Sequence, residues 1–203
     1  GGGGGGGHDH GGGGGAGAMS QMDMKDMVPE QFVQSLAPIY SAYLDAQELL
    51  AGDDLGGFLE AAQRLGDSLD SVEIVGLVGE SLGRWRRADS NLKFDSSITT
   101  IDNARLRFET MTRAILDLQD QFGNASDQTL YTAFCPMAFD FKGAKWIQRG
   151  TEINNPYFGD QMLRCGDIQE THEPINQPDH DGMDMNMDMD KTTPEDDKGH
   201  DHD

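Results

Sequence analysis

The run Ser97–Asn124, SITTIDNARLRFETMTRAILDLQDQFGN, decides how this chain is read. Ile98, Ile101, Ala104, Phe108, Met111, Ile115, Leu118 and Phe122 step by three and four without a break, which lays apolar side chains along one face of a helix. Gly123-Asn124 then stops it, because both residues tolerate the left-handed backbone that ends helices. Met111 sits on the stripe and is expected in the core.

The same spacing extends upstream. Pro29 suits a first helical turn, and Phe32, Val33, Leu36, Ile39, Tyr40, Tyr43, Leu44 and Leu50 follow helical periodicity. Pro38 interrupts them and should kink or split the helix. Ala51-Gly52-Asp53-Asp54 reads as a stop followed by a new N-cap. Leu55, Phe58, Leu59, Ala62, Leu65 and Leu69 form the next stripe. Over 70–88, Val75, Val78, Leu82 and Trp85 fit a helix weakened by Gly76, Gly79 and Gly83, with Arg84, Arg86 and Arg87 at its C-terminal end. Residues 89–97 read as a polar connector. Amphipathic segments joined by short loops predict a mainly α fold, an antiparallel bundle of about four helices.

After Asn124 the pattern changes. Leu130–Phe134 and Ala144–Ile147 read as short extended pieces, and aromatic residues crowd among punctuating Pro and Gly. This predicts a small turn-rich C-terminal lobe on the bundle. The domain would span 29–171, flanked by a Gly/His/Met linker (1–28) and an acidic Met/His-rich tail (172–203). Neither end carries enough apolar surface to offset chain entropy, so both are expected to be disordered. The glycine start reads as a linker cut from something upstream.

Net charge is −21, which disfavours nucleic acid and anionic lipid and suits cations. No apolar stretch approaches the roughly 18–20 residues that span a bilayer. No Ser-His-Asp arrangement, phosphate loop or dinucleotide glycine pattern is present, so no enzyme is expected.

Soft-metal donors concentrate at the ends. Met19, Met22, Met24 and Met27 precede the domain, with His8 and His10 set in a glycine run. Met183, Met185, Met187 and Met189 alternate with polar residues near the other end, beside His180, His200 and His202. Methionine outside a core loses its usual packing role and leaves thioether chemistry, which selects monovalent copper or silver. Imidazole and Asp in these segments would also accept Cu²⁺, Ni²⁺ or Zn²⁺. The plainer reading is a solvating acidic tail.

Within the lobe, Cys135-Pro136-Met137 places two sulfurs two residues apart, on one side of an extended chain. Met162 and Cys165 share a face if their turn is helical. Together these four would suit a monovalent soft ion. A disulfide between Cys135 and Cys165, closing a loop of about 30 residues for about 3–4 kcal/mol, stays open beside the metal site and inert thiols.

The run Thr129–Ile168, TLYTAFCPMAFDFKGAKWIQRGTEINNPYFGDQMLRCGDI, resembles the C-terminal signature of an uncharacterised bacterial domain. That signature is Cys-Pro-Met, Gly-Ala-x-Trp, Asn-Pro-Tyr-Phe-Gly and Met-Leu-x-Cys-Gly. It is similar to extensions of the periplasmic adaptor subunits of heavy-metal efflux pumps of the resistance-nodulation-division (RND) class. The resemblance implies a periplasmic location, copper or silver export with such a pump or its adaptor as partner, and sulfur positions at Cys135, Met137, Met162 and Cys165. The alternatives are a disulfide-stapled interaction bundle with metal-buffering tails, and a non-specific divalent store.

Overall fold

A computed structural model describes residues 28–175. His8, His10, Met22, Met24, His180, Met183, Met185, Met187, Met189, His200 and His202 lie outside the described residues. Five helices come first: α1 (Glu30–Ser35), α2 (Ala37–Ala51), α3 (Leu55–Leu69), α4 (Gly79–Leu92) and α5 (Ile101–Phe122). Three strands follow: β1 (Leu130–Cys135), β2 (Ala144–Arg149) and β3 (Asp167–His172).

Local chemistry places most helix boundaries. Pro38 separates α1 from α2 and occupies the first turn of α2. Asp54 caps α3 by accepting from the Gly57 amide at 2.9 Å. Thr100 caps α5 by accepting from the Asn103 amide, and Gly123 closes that helix at φ 78°. The Met111 side chain is buried in the core.

The 70–88 reading needs correction. Gly76 takes φ 83° and residues 70–78 form turns and irregular backbone, so α4 begins only at Gly79. Val75 and Val78 are exposed rather than packed. The helix continues into the segment read as a connector, as far as Leu92, because Trp85, Ala88 and Leu92 keep one buried face. Arg84 lies within it and pairs with Glu80 one turn earlier at 2.8 Å.

The larger correction concerns fold class. The chain is not a helical bundle with a small turn-rich lobe; it is a mixed α/β fold with a three-stranded antiparallel sheet in the order β2-β1-β3. Two strands coincide with the extended pieces that the sequence suggested. The third, DIQETH, carries no apolar alternation because it is an exposed edge strand. Nor is the sheet an appendage. Leu130, Ala133, Trp146 and Ile147 belong to the same core as Tyr43, Phe58 and Phe108. Tyr43 stacks on Phe108 at 5.0 Å, Phe108 contacts Tyr157 at 6.0 Å, and Tyr157 meets Trp146 edge-on at 6.0 Å. One aromatic row therefore crosses from α2 through α5 to β2.

Strand β2 would leave one edge of backbone amides without strand partners, and α2 covers it. The Tyr43 hydroxyl accepts from the Ile147 amide at 3.1 Å and bonds Thr112 Oγ1 of α5 at 2.8 Å. Gln47 donates to the Asn154 carbonyl at 2.6 Å, and Arg149 reaches Asp45 and Glu48 at 3.0 and 2.8 Å.

Tyr43→Phe would leave the buried Ile147 amide without its acceptor and should cost about 1–3 kcal/mol in chemical denaturation. Burial also holds the Tyr40 and Tyr43 phenols well above their ordinary range. A raised folded pKa contributes stability that is complete below the unfolded value near pH ~10 and is lost as pH rises beyond it. Unfolding free energy should therefore fall above about pH 10, and less steeply in Tyr43→Phe.

Candidate metal centre

Sheet register builds the site. Cys135 is the last residue of β1 and pairs with Ala144 of β2. On its other side β1 pairs Phe134 with Asp167 of β3, so the antiparallel run brings Cys165 across from Cys135. Their Sγ atoms stand 3.1 Å apart, and both are free thiols. Cys135 is fully buried, whereas Cys165 is partly exposed.

The backbone at Cys165 is tied down. Its carbonyl accepts from Asn155 Nδ2 at 2.8 Å, and its amide donates to the Met162 carbonyl at 3.0 Å. Asn155 is itself fully buried and accepts the Tyr157 amide at 2.9 Å. Gly166 follows at φ 132°, where a Cβ would lie 2.8 Å from the Phe134 carbonyl oxygen and 2.9 Å from the Trp146 ring. Only glycine lets the chain pass this close to β1 and still deliver Cys165 to its partner.

The Cys165 thiol is pushed up to about 11. The hydrogen bond with Cys135 is the first cause, followed by burial and the negative charges of Cys135 and Asp167. Each disfavours a thiolate while no cation is present.

The thioethers occupy a different position from the thiols. Past Pro136 the chain leaves β1, and Met137 has a helical backbone (φ −85°, ψ −16°), so strand alternation does not carry it onto the face of Cys135. Met137 and Met162 instead line one open groove of about 710 Å³, with Phe139, Tyr157 and Phe158. The geometry thus brings the predicted residues together in pairs, thiol with thiol and thioether with thioether. The groove lies where both thioether residues join the chain segments that carry the cysteines.

Two further features shape this groove. Phe139, Asp140 and Phe141 take consecutive left-handed φ values of 51°, 57° and 64°. Such a run costs roughly 1–2 kcal/mol per residue. It packs Phe139 against Tyr157 at 5.1 Å and leaves Phe141 75% exposed. The second feature is Arg105, only 8% exposed on α5. It pairs with Asp53 and donates to the Pro156 carbonyl at 3.1 Å, while Asp53 accepts the Asp160 amide at 3.0 Å. A buried arginine so held fixes the loop leading to Met162. Its sequence signal was a charge next to Ala104 and three residues before Phe108, on the apolar stripe of α5.

Asn124, just past the helix stop, is buried and donates to the carbonyls of Gln128 and His172. The His172 ring bonds Thr132 Oγ1 at 2.7 Å. Among the described residues no group of three or more His, Cys, Asp or Glu side chains is placed to hold a metal ion. No helix among them is long and apolar enough to cross a membrane. No family model matches the chain, and neither a curated protein nor a solved structure does.

Gly166→Ala should destabilise the protein by about 1–3 kcal/mol, since it adds a Cβ at a strained φ against immovable backbone. The accompanying observation is faster labelling of Cys135 by a thiol reagent under native conditions, as the Cys165 segment lifts from β1.

Proposed function

We propose that this protein is a periplasmic module that binds monovalent copper or silver and passes the ion to, or works as part of, an RND-class heavy-metal efflux system. The observation that carries the reading is the placement of two free thiols 3.1 Å apart, with Met137 and Met162 lining a groove next along the chain. Thiolates hold a soft monovalent ion tightly, and thioethers hold it weakly enough to let it go. Thioethers in an open groove thus suit arrival and departure, and the dithiol suits retention.

The acidic surface works in the same direction, raising the local concentration of cations. The terminal Met and His residues would add many weak contacts to the first capture step. The partner and location rest on the resemblance of the Cys-Pro-Met to Met-Leu-x-Cys-Gly signature. The thiol separation also favours a second reading, in which the pair forms a disulfide tying β1 to the segment that precedes β3.

Silver titration of the fully reduced chain, followed by calorimetry, tests the assignment. Cys135→Ser with Cys165→Ser should weaken binding by at least about 100-fold, and Met137→Leu with Met162→Leu by about tenfold. Because the Cys165 proton must leave, affinity should rise with pH toward about 11, near tenfold per pH unit for each proton released. Silver binding that is unchanged in the double cysteine variant would remove the dithiol from the account. Retention of silver no better than by a chain with scrambled tails would end the reading altogether.

A further inference from the structure

We infer that Cys135 and Cys165 form a reversible redox couple that exchanges with disulfides, with Cys165 as the sulfur that meets the oxidant. The exchange would also govern the metal site, and that part rests on the reading proposed above.

The geometry assigns the order of events. Cys135 is 0% exposed and lies under the sheet end, so an incoming disulfide cannot reach it. Cys165 is partly exposed and stands 3.1 Å from Cys135 with no side chain bonded between them. Both backbones are already held, Cys135 by its pairing with Ala144 and Cys165 by Asn155 and Met162. Little backbone rearrangement then separates dithiol from disulfide.

With oxidised glutathione the steps balance as follows. The Cys165 thiol loses its proton, and its sulfur attacks one glutathione sulfur. The glutathione S–S bond breaks, one glutathione leaves as a thiolate and takes up a proton, and a mixed disulfide remains on Cys165. Cys135 then loses its proton and attacks the Cys165 sulfur, and the second glutathione departs as a thiol. The two cysteines together lose two electrons and two protons, and the glutathione disulfide gains them. The product has no thiolate left to offer a metal ion.

The environment sets the pace. Among the described residues no basic side chain pairs with either sulfur to favour a thiolate. The couple should act as a slow latch and not as a fast oxidoreductase. The 30-residue segment it would close contains the left-handed turn, β2 and the Met162 turn. Oxidation therefore fastens the segment that carries the Met137 and Met162 side of the groove.

The test uses the full reduced chain, exposed to oxidised glutathione, quenched with acid, alkylated and weighed. The wild type should lose two hydrogen atoms and keep no lasting adduct. Cys135→Ala should trap one glutathione, and Cys165→Ala none, although both should take adducts when unfolded in guanidinium. The rate should climb with pH, because the thiolate is the attacking form. An adduct on Cys135 in Cys165→Ala, or a wild type that stays dithiol, overturns the couple. A two-hydrogen loss that also occurs in either single variant overturns it as well. Preloading with one equivalent of silver should slow exchange by at least about tenfold. Exchange that runs equally fast with silver leaves the redox couple standing and sinks the metal assignment instead.

Discussion

The arrangement depends on the covering of one strand edge. Strand β2 lies at the side of the sheet, and its outward amide at Ile147 is met by the Tyr43 hydroxyl. That hydroxyl is also bonded to Thr112, so one buried oxygen joins α2, α5 and the sheet. A buried amide without an acceptor would cost as much as several apolar contacts contribute, which makes this a constraint on how the layers meet. Once β2 is docked, Trp146 lies inside the core, and antiparallel pairing fixes β1 beside it and β3 beyond. The sulfur pair is a consequence of that stacking, because Cys135 and Cys165 are brought level only by the register of β1 with β2 and β3.

The helices were legible because each carries its signal in its own residues. A stripe such as Ile101 to Phe122 needs only one apolar side facing a neighbour, and Asp54, Thr100 and Gly123 mark the ends by local chemistry. The sheet was less legible for a physical reason. Strand β1 is central and buried on both sides, so it shows an apolar run without alternation, and β3 is an exposed edge with almost no apolar content. Its pairing partner lies some forty residues away, and that distance is invisible to any window read along the chain. The valines at 75 and 78 misled in the opposite direction, since they keep helical spacing in a stretch whose backbone turns away at Gly76.

The candidate site divides along the same line. Cys135 and Cys165 announce themselves by residue type, and their approach follows from strand register. The expectation that Met137 shares a face with Cys135 assumed that the strand continues through Pro136. The strand ends at Cys135, and the helical backbone at Met137 takes it off the strand's face, where its thioether lines the groove. Arg105 and Asp53 were missed because an ion pair between residues fifty apart has no periodicity. Their effect is to hold the loop from Pro156 to Asp160, and so Met162, against α5.

On the function proposed above, metal, proton and disulfide would compete for the same two sulfurs. The hydrogen bond with Cys135, burial and the charges of Cys135 and Asp167 favour the protonated form of Cys165. A soft cation bound there would reverse that ranking, because its own charge would offset the penalty that burial and Asp167 place on a thiolate. The acidic charge of the chain would add to the reversal by drawing cations toward the site. A basic side chain near Cys165 would have made the thiols reactive at all times, toward disulfides as well as metal. None stands among the described neighbours that shift Cys165, which leaves its thiol quiet toward disulfides; on the proposed function, that quiet would keep the site reduced until an ion arrives.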